Sequence, residues 1–176
     1  ASAAQSPAEK VICWGTCVRS HRADLTTRWV RILAAQPAAS GAIGVGAGGE
    51  TVAALAGKGG MTVAALAEAD GAVVWRADNA AVETVSGVAK LGTGATVVAG
   101  FRVEAGVHGW LRGYDKDGAA LWTAELGAVE GTEVPRLVAG SGGSFAVLGR
   151  SVSGVWGGVA VGKGVFFADL HTEVLQ

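Results

Sequence analysis

The chain lacks the charge excess and the long apolar runs that two large classes of proteins need. Of its 176 residues only 16% are charged, and 14 Lys and Arg face 15 Asp and Glu. A protein that neutralises nucleic-acid phosphates needs a basic excess, so we expect no nucleic-acid partner. The longest apolar stretch, Val152–Gly162, is interrupted by glycine and serine. It is shorter than the roughly 18 residues of a membrane helix, so we expect no membrane span.

Large side chains and prolines are scarce as well. Aromatic residues make up 6% of the chain and only three prolines occur, whereas 34 alanines and 29 glycines make up more than a third. Half of the residues are apolar, which suffices to bury a core and excludes a charge-rich disordered chain. Small residues suit faces at which sheets pack closely. We expect one domain over residues 10–176, preceded by a flexible segment at 1–9.

Cysteine is nearly absent, and the two that occur, Cys13 and Cys17, are separated by three residues. A structural disulfide across a tight turn is the favoured interpretation, and two free thiols are the alternative. The histidines are scattered along the chain, at His21, His108 and His171. A zinc site needs four ligands, so we expect no metal. The small-residue start, Ala1–Pro7, is typical of a processed secretory N-terminus, which together with a disulfide predicts an extracellular, periplasmic or cell-surface location.

An internal repeat of about 47 residues organises the chain. Three tryptophans recur at intervals of 46 and 47 residues, and each follows an aspartate by five residues. The pairs are Asp24 and Trp29, Asp70 and Trp75, and Asp117 and Trp122. A fourth copy lacks both residues, and its Gly164 aligns with Gly118, Gly71 and Leu25. Self-similarity at a fixed period predicts one supersecondary unit repeated along the chain.

A second hairpin with a glycine-rich turn lies between successive tryptophan hairpins. Its copies run over Ile43–Val52, Val88–Val97 and Leu137–Phe145. Short segments that contain Val and Thr and are bounded by glycine predict β-strands. The Asp-Gly and glycine turns supply residues that tolerate positive φ. Each repeat is therefore predicted to form two hairpins, and the fold is predicted to be all-β.

Four strands in about 45 residues is the size of a propeller blade. The segments Tyr114–Trp122 and Thr96–Gly100 resemble the repeats of bacterial secreted β-propeller proteins, and the resemblance extends over residues 11–168. It implies a non-catalytic scaffold of four-stranded antiparallel blades. The length gives about four blades, or part of a larger ring completed by self-association. Within one chain, Lys10–Gly15 and His171–Leu175 are predicted to add strands that join the two chain ends.

The main alternative is a dinucleotide-binding site. The pattern Gly44-x-Gly46-x-x-Gly49, with Glu68 nineteen residues further on, is close to the nicotinamide and flavin fingerprint. This alternative predicts an FAD- or NAD-binding oxidoreductase fragment with a helix over residues 50–56. The matching turns of the other copies lack the fingerprint, which favours strands. A β-trefoil lectin is a further alternative, but four hairpin copies fit threefold symmetry poorly.

The aromatic and acidic motifs have structural interpretations. The three tryptophans in register are predicted to fill gaps between blades. The less regular ones are candidates for exposed contacts; these are Trp14, Trp110 and Trp156. Asp115-x-Asp117-Gly118 resembles a calcium loop but lacks further acidic ligands, so a turn is the better interpretation.

Three long variable loops form the expected partner surface. They run over Arg102–Gly109, Glu125–Pro135 and Arg150–Gly158. The candidate binding residues are Arg102, Glu104, His108, Arg150 and Trp156, with Glu130 and Glu133 nearby. We expect a protein or glycan partner, no cofactor and no catalytic residue.

Overall fold

A computed structural model describes residues 15–46, 48–81, 83–103, 106–128, 136–139, 144–151, 154–161 and 164–170. These residues contain fourteen β-strands and no helix. The strands form four antiparallel sheets. The predicted all-β antiparallel fold is therefore confirmed.

Each sheet uses strands that follow one another in the chain. Sheet 1 has two strands, β1 (Thr16–His21) and β2 (Thr27–Ala34). Sheet 2 contains β3 (Ser40–Val45), β4 (Thr51–Gly57), β5 (Gly60–Leu66) and β6 (Val73–Asn79). Sheet 3 contains β7 (Thr84–Lys90), β8 (Thr96–Val103), β9 (Val107–Tyr114) and β10 (Ala120–Ala128). Sheet 4 contains β11 (Arg136–Ala139), β12 (Phe145–Ser151), β13 (Gly154–Val161) and β14 (Gly164–Leu170).

The sheets pack face to face in chain order. The core between sheets 1 and 2 is formed by Val18, Trp29, Leu33, Ala53, Leu55, Ala64 and Leu66. The core between sheets 2 and 3 includes Val52, Val63, Trp75, Val88, Val98, Trp110 and Tyr114. The core between sheets 3 and 4 includes Leu91, Val97, Leu111, Phe145 and Val147. Sheets 2 and 3 are thus buried on both faces.

The two-faced burial explains why the strands are rich in alanine and valine. Along β4, Val52 and Ala54 contact sheet 3, whereas Ala53 and Leu55 contact sheet 1. Successive side chains of a strand point to opposite faces, so neither face of β4 can be polar. Small side chains let both neighbouring sheets approach the strand closely.

Two of the tryptophans that were predicted to fill gaps pack against a glycine in the turn of the next repeat's tryptophan hairpin. Trp29 and Trp75 are buried. A Cβ atom at Gly71 would lie 2.5 Å from the Trp29 ring, and one at Gly118 would lie 2.6 Å from the Trp75 ring. Trp29 thus lies in the core between sheets 1 and 2, and Trp75 in the core between sheets 2 and 3. Trp122 is partly buried and stacks on Phe145 of the next sheet, with ring centroids 6.2 Å apart.

The same turn position adopts a left-handed backbone in three hairpins. The φ angles are +65° at Leu25, +69° at Gly71 and +87° at Gly118. Leu25 is the single non-glycine residue of the described chain with a positive φ. The alignment of these three residues in the sequence therefore corresponds to one shared turn geometry.

Two expectations are wrong. Trp110, expected to make exposed contacts, is completely buried between sheets 2 and 3 because it points to the face covered by sheet 2. The helix over residues 50–56 that the dinucleotide alternative requires is absent. That segment forms strand β4, and Gly44, Gly46 and Gly49 belong to a hairpin.

Several expectations concern residues that the structure does not describe. They include Cys13, Trp14, residues 10–14 of the predicted strand Lys10–Gly15, the predicted strand His171–Leu175, and the flexible segment at 1–9. The Cys13–Cys17 disulfide therefore stays a prediction. In the described part of the chain, no helix is long and apolar enough to cross a membrane.

Candidate binding site

The first strands of sheets 2 and 3, β3 and β7, run side by side in the same direction. The backbone N–H of Val85 donates to Ser40 Oγ at 3.0 Å, and Gly44 lies against the carbonyl oxygen of Val88. The β4–β5 turn and the β8–β9 turn therefore lie at the same end of the stacked sheets. We call this end the cleft end. Its described residues are the β2–β3 connection, residues 57–60, 80–81 and 83, and Val103, Gly106 and Val107.

Two of the predicted binding residues meet at the cleft end. Arg102 on β8 pairs in register with His108 on β9. The Arg102 guanidinium forms an ion pair with Glu125 of β10, with Nη2 and Oε2 3.0 Å apart. This cluster combines a cation, an anion and an imidazole on a partly exposed surface. The register places Arg102 and His108 side by side, and their role in partner binding stays a prediction.

The other predicted binding residues are placed only by their backbone or not at all. Arg150 lies on β12 opposite Val155, and Trp156 lies on β13 opposite Gly149. Both flank the β12–β13 turn, which corresponds in strand order to the β8–β9 turn. Glu104, Glu130 and Glu133 lie outside the described residues.

A cleft opens at this end between sheets 1 and 2. Its volume is about 660 Å³, within the range of about 300–1,000 Å³ that is common for ligand sites. One wall is the β2–β3 connection, the second is the β4–β5 turn, and the third is the end of β6. The polar side chains that line it are Gln36, Lys58, Thr62, Arg76, Asp78 and Asn79.

The walls of the cleft are fixed by hydrogen bonds. The Thr16 hydroxyl donates to Gln36 O at 3.2 Å and accepts from the Ala38 N–H at 2.7 Å. The Ala39 N–H donates to Ala56 O at 2.7 Å, joining the connection to β4. These bonds tie the β2–β3 connection to both sheets and so fix this wall of the cleft.

A charged network lies on the β6 wall. Arg76 Nε donates to both carboxylate oxygens of Asp78, at 3.0 and 2.9 Å, and the Thr62 hydroxyl donates to the same carboxylate at 2.6 Å. Arg76 Nη1 donates to Leu33 O of sheet 1 at 3.0 Å. The hydrogen bond from Arg76 lowers the pKa of Asp78, and that carboxylate raises the pKa of Arg76. Both groups are therefore charged at neutral pH.

Sequence reasoning missed this network. Arg76 and Asp78 are separated by one residue on β6, and such alternation shows that both side chains share a face. The sequence does not show that the β2–β3 connection approaches that face. The cleft depends on how two sheets pack, which a local pattern does not contain.

The repeated aspartates accept backbone hydrogen bonds within their turns, except in the third copy, where a neighbouring aspartate does so. Asp24 accepts from the Thr26 N–H at 3.0 Å, and Asp70 accepts from the Ala72 N–H at 2.8 Å. In the third copy Asp115 takes over, accepting from the Ala119 N–H at 2.8 Å, while Asp117 forms an ion pair with Lys116. The Asp115 carboxylate is therefore used by the turn, as the turn interpretation expected.

A buried ion pair lies inside the core between sheets 2 and 3. Arg112 makes two hydrogen bonds to Glu83, at 3.2 and 3.3 Å, and its guanidinium lies 4.9 Å from the Trp110 ring centroid. The side chains of Arg112 and Glu83 are 12% and 4% exposed. Burial raises the pKa of the neighbouring Tyr114. The ion pair joins β9 to the residue that precedes β7, and the Trp110 ring beside Arg112 belongs to the core between sheets 2 and 3.

No protein-family model matches the chain, and no curated protein matches it.

Proposed function

We propose that the chain is an extracytoplasmic, non-catalytic binding or scaffolding module built as a β-propeller-like array. In this arrangement the four sheets are blades around a common axis, and β3, β7 and β11 are the innermost strands. Two contacts support the arrangement. Gly44 of β3 lies against β7, and a Cβ atom at Gly87 of β7 would lie 3.4 Å from the Leu137 nitrogen of β11.

The preformed cleft is the observation that carries the binding function. It lies where connections and turns from two sheets converge, and its walls are held by backbone hydrogen bonds. The Arg102–His108–Glu125 cluster lies at the same end on sheet 3. A rigid scaffold that displays loops and polar side chains at one end is typical of binding proteins. The partner is a protein or a glycan.

An array of defined oligosaccharides and peptides tests this function. We expect saturable binding of the labelled protein to at least one compound. Alanine at Arg102, His108 and Arg150 together, or at Lys58, is expected to weaken it, because Arg102, His108 and Lys58 lie at the cleft end. Lys116→Ala is the matched control, since Lys116 is an exposed lysine in the turn at the opposite end.

Mass spectrometry of the bound compound tests the non-catalytic part. The compound is expected to be recovered chemically unchanged after prolonged incubation. Absence of saturable binding, or a chemically altered compound, would refute the proposal. So would binding that Lys116→Ala weakens as much as the changes at the cleft end do.

A further inference from the structure

The Arg76 guanidinium retains donors for a ligand. A guanidinium carries five N–H groups. Nε donates to Asp78, one Nη1 hydrogen goes to Leu33 O, and one Nη2 hydrogen goes to Thr62 Oγ1 at 3.3 Å. In the part of the chain that the structure describes, two N–H groups of Arg76 have no acceptor, and the side chain is 44% exposed.

The Asp78 carboxylate retains acceptor capacity beside those donors. Its Oδ1 accepts hydrogen bonds from the Thr62 hydroxyl and from Arg76 Nε. Among the described residues, Oδ2 accepts only from Arg76 Nε. The side chain is 60% exposed, and its lowered pKa keeps it an acceptor at neutral pH. Donor and acceptor sites of the cleft are thus adjacent.

A ligand group on this pair must accept from Arg76 and donate to Asp78. A hydroxyl does both, and neighbouring hydroxyls do so at two positions. A phosphate or sulfate dianion cannot donate in this way and would meet the Asp78 carboxylate as a like charge. The pair therefore favours a hydroxyl-rich ligand over a multiply charged inorganic anion.

Lys58 adds one net positive charge to the cleft. It is exposed on the β4–β5 turn and lines the cleft opposite the β2–β3 connection. Because Arg76 and Asp78 compensate each other, Lys58 supplies the net charge of the lining. A charge of this kind favours a ligand that carries a carboxylate.

The cleft has few apolar anchors for a protein partner. Its large apolar lining residues, Leu33, Leu55 and Met61, are buried in the cores. Its exposed lining consists of small and polar residues such as Ala35, Gln36 and Pro37. Protein interfaces are usually anchored by large aromatic, aliphatic or arginine side chains that fill pockets. A ligand here is held mainly through hydrogen bonds.

We propose that the cleft between sheets 1 and 2 binds an acidic oligosaccharide, whose hydroxyls contact Arg76 and Asp78 and whose carboxylate contacts Lys58. This inference rests on the proposed binding function and specifies its ligand.

Calorimetric titration with two probes tests the inference. The probes are a trisaccharide of galacturonic acid and the matching neutral trisaccharide of galactose, at low ionic strength. The acidic probe is expected to bind more tightly. Lys58→Ala is expected to weaken its binding about two- to fivefold, as for an exposed ion pair, and to leave the neutral probe unchanged. Asp78→Asn is expected to weaken both probes by about tenfold or more.

Controls separate the cleft from general charge effects. Lys116→Ala is expected to change neither affinity, and raising the salt to about 0.5 M is expected to remove the preference for the acidic probe. Circular dichroism verifies that each variant keeps the wild-type spectrum. A preference that survives Lys58→Ala, or no saturable binding of either probe, overturns the inference. If the array still shows binding that depends on Arg102 and His108, the proposed function stands and only this ligand assignment fails.

Discussion

The face of sheet 2 that packs on sheet 1 and the face of sheet 3 that packs on sheet 2 differ in one respect. Strand β3 is largely exposed on the first face, whereas strand β7 is covered on the second. The turns Gly46–Glu50 and Leu91–Ala95 have the same hydrogen-bond pattern, which makes Ile43 of β3 the counterpart of Val88 of β7. Ile43 is 57% exposed, whereas Val88 is 9% exposed. Val88 is covered because β3 lies against β7. Among the described residues, sheet 1 has no strand that lies against β3 in this way.

This difference shows which strands of one sheet are needed to cover the face of the next sheet. The paired outer strands β1 and β2 suffice to bury Ala53 and Leu55, but an inner strand of the preceding sheet is needed to bury the next inner strand. A four-stranded sheet therefore covers the first strand of the sheet that follows it in the chain.

Two arginines at equivalent positions of the repeat, Arg112 and Arg19, are expected to differ most in their contribution to the unfolding free energy. Arg112 and Arg19 each precede the repeated aspartate by five residues, but Arg112 is buried against Glu83 and Arg19 is exposed. Arg112→Ala leaves the Glu83 carboxylate buried without its partner, at a cost of about 3–5 kcal/mol in unfolding free energy. Arg19→Ala is expected to change it by less than about 0.5 kcal/mol. Urea denaturation measures the unfolding free energy of both variants. Equal losses of stability would contradict the contrast between the buried Arg112 and the exposed Arg19.

Truncating the inner strands tests the comparison itself. Val88→Ala removes buried methyl groups and is expected to cost roughly 1–3 kcal/mol. Ile43→Ala removes a larger but exposed side chain and is expected to cost less than about 0.5 kcal/mol. Chemical denaturation of both variants gives the values. A loss at Ile43 as large as that at Val88 would show that another strand covers β3 in solution.

The shared turn position predicts changes of opposite sign. Gly71→Ala forces a side chain into a left-handed conformation, at about 1–2 kcal/mol, and pushes its Cβ into the Trp29 ring. Leu25→Gly relieves the same backbone cost at an exposed residue, and a gain of up to about 1 kcal/mol is expected. Thermal unfolding of the two variants checks the signs. A loss of stability in Leu25→Gly would contradict this account of the turn.

Tyr114 reports on the interface between sheets 2 and 3. It is the single tyrosine of the chain and stacks on Trp75 with centroids 6.1 Å apart. Burial raises its pKa above 10.0, so the folded state holds the phenolic proton more tightly than the unfolded state. The resulting stability is fully present below pH 10 and is lost as the pH rises through the folded pKa.

Absorbance at 295 nm measures the Tyr114 titration directly. The midpoint is expected above 10 in buffer and near 10 in concentrated urea. A midpoint near 10 in the folded protein would mean that this interface is open to water.

The strands were predictable from the sequence because their signals are local. The Asp-to-Trp spacing and the glycine turns located hairpins such as β5–β6 and β9–β10, since turn residues and strand segments lie next to each other in the chain. Trp110 was misjudged because its burial depends on which face sheet 2 covers. The Thr62–Arg76–Asp78 network was missed for a similar reason, as it forms only where sheet 1 meets sheet 2.

We propose that consecutive sheets are arranged about an axis, and small-angle X-ray scattering combined with light scattering tests this proposal most directly. The account predicts a compact, disc-like particle whose mass is 17.5 kDa or a whole multiple of that value. A monomer with the distance distribution of an elongated rod would contradict it.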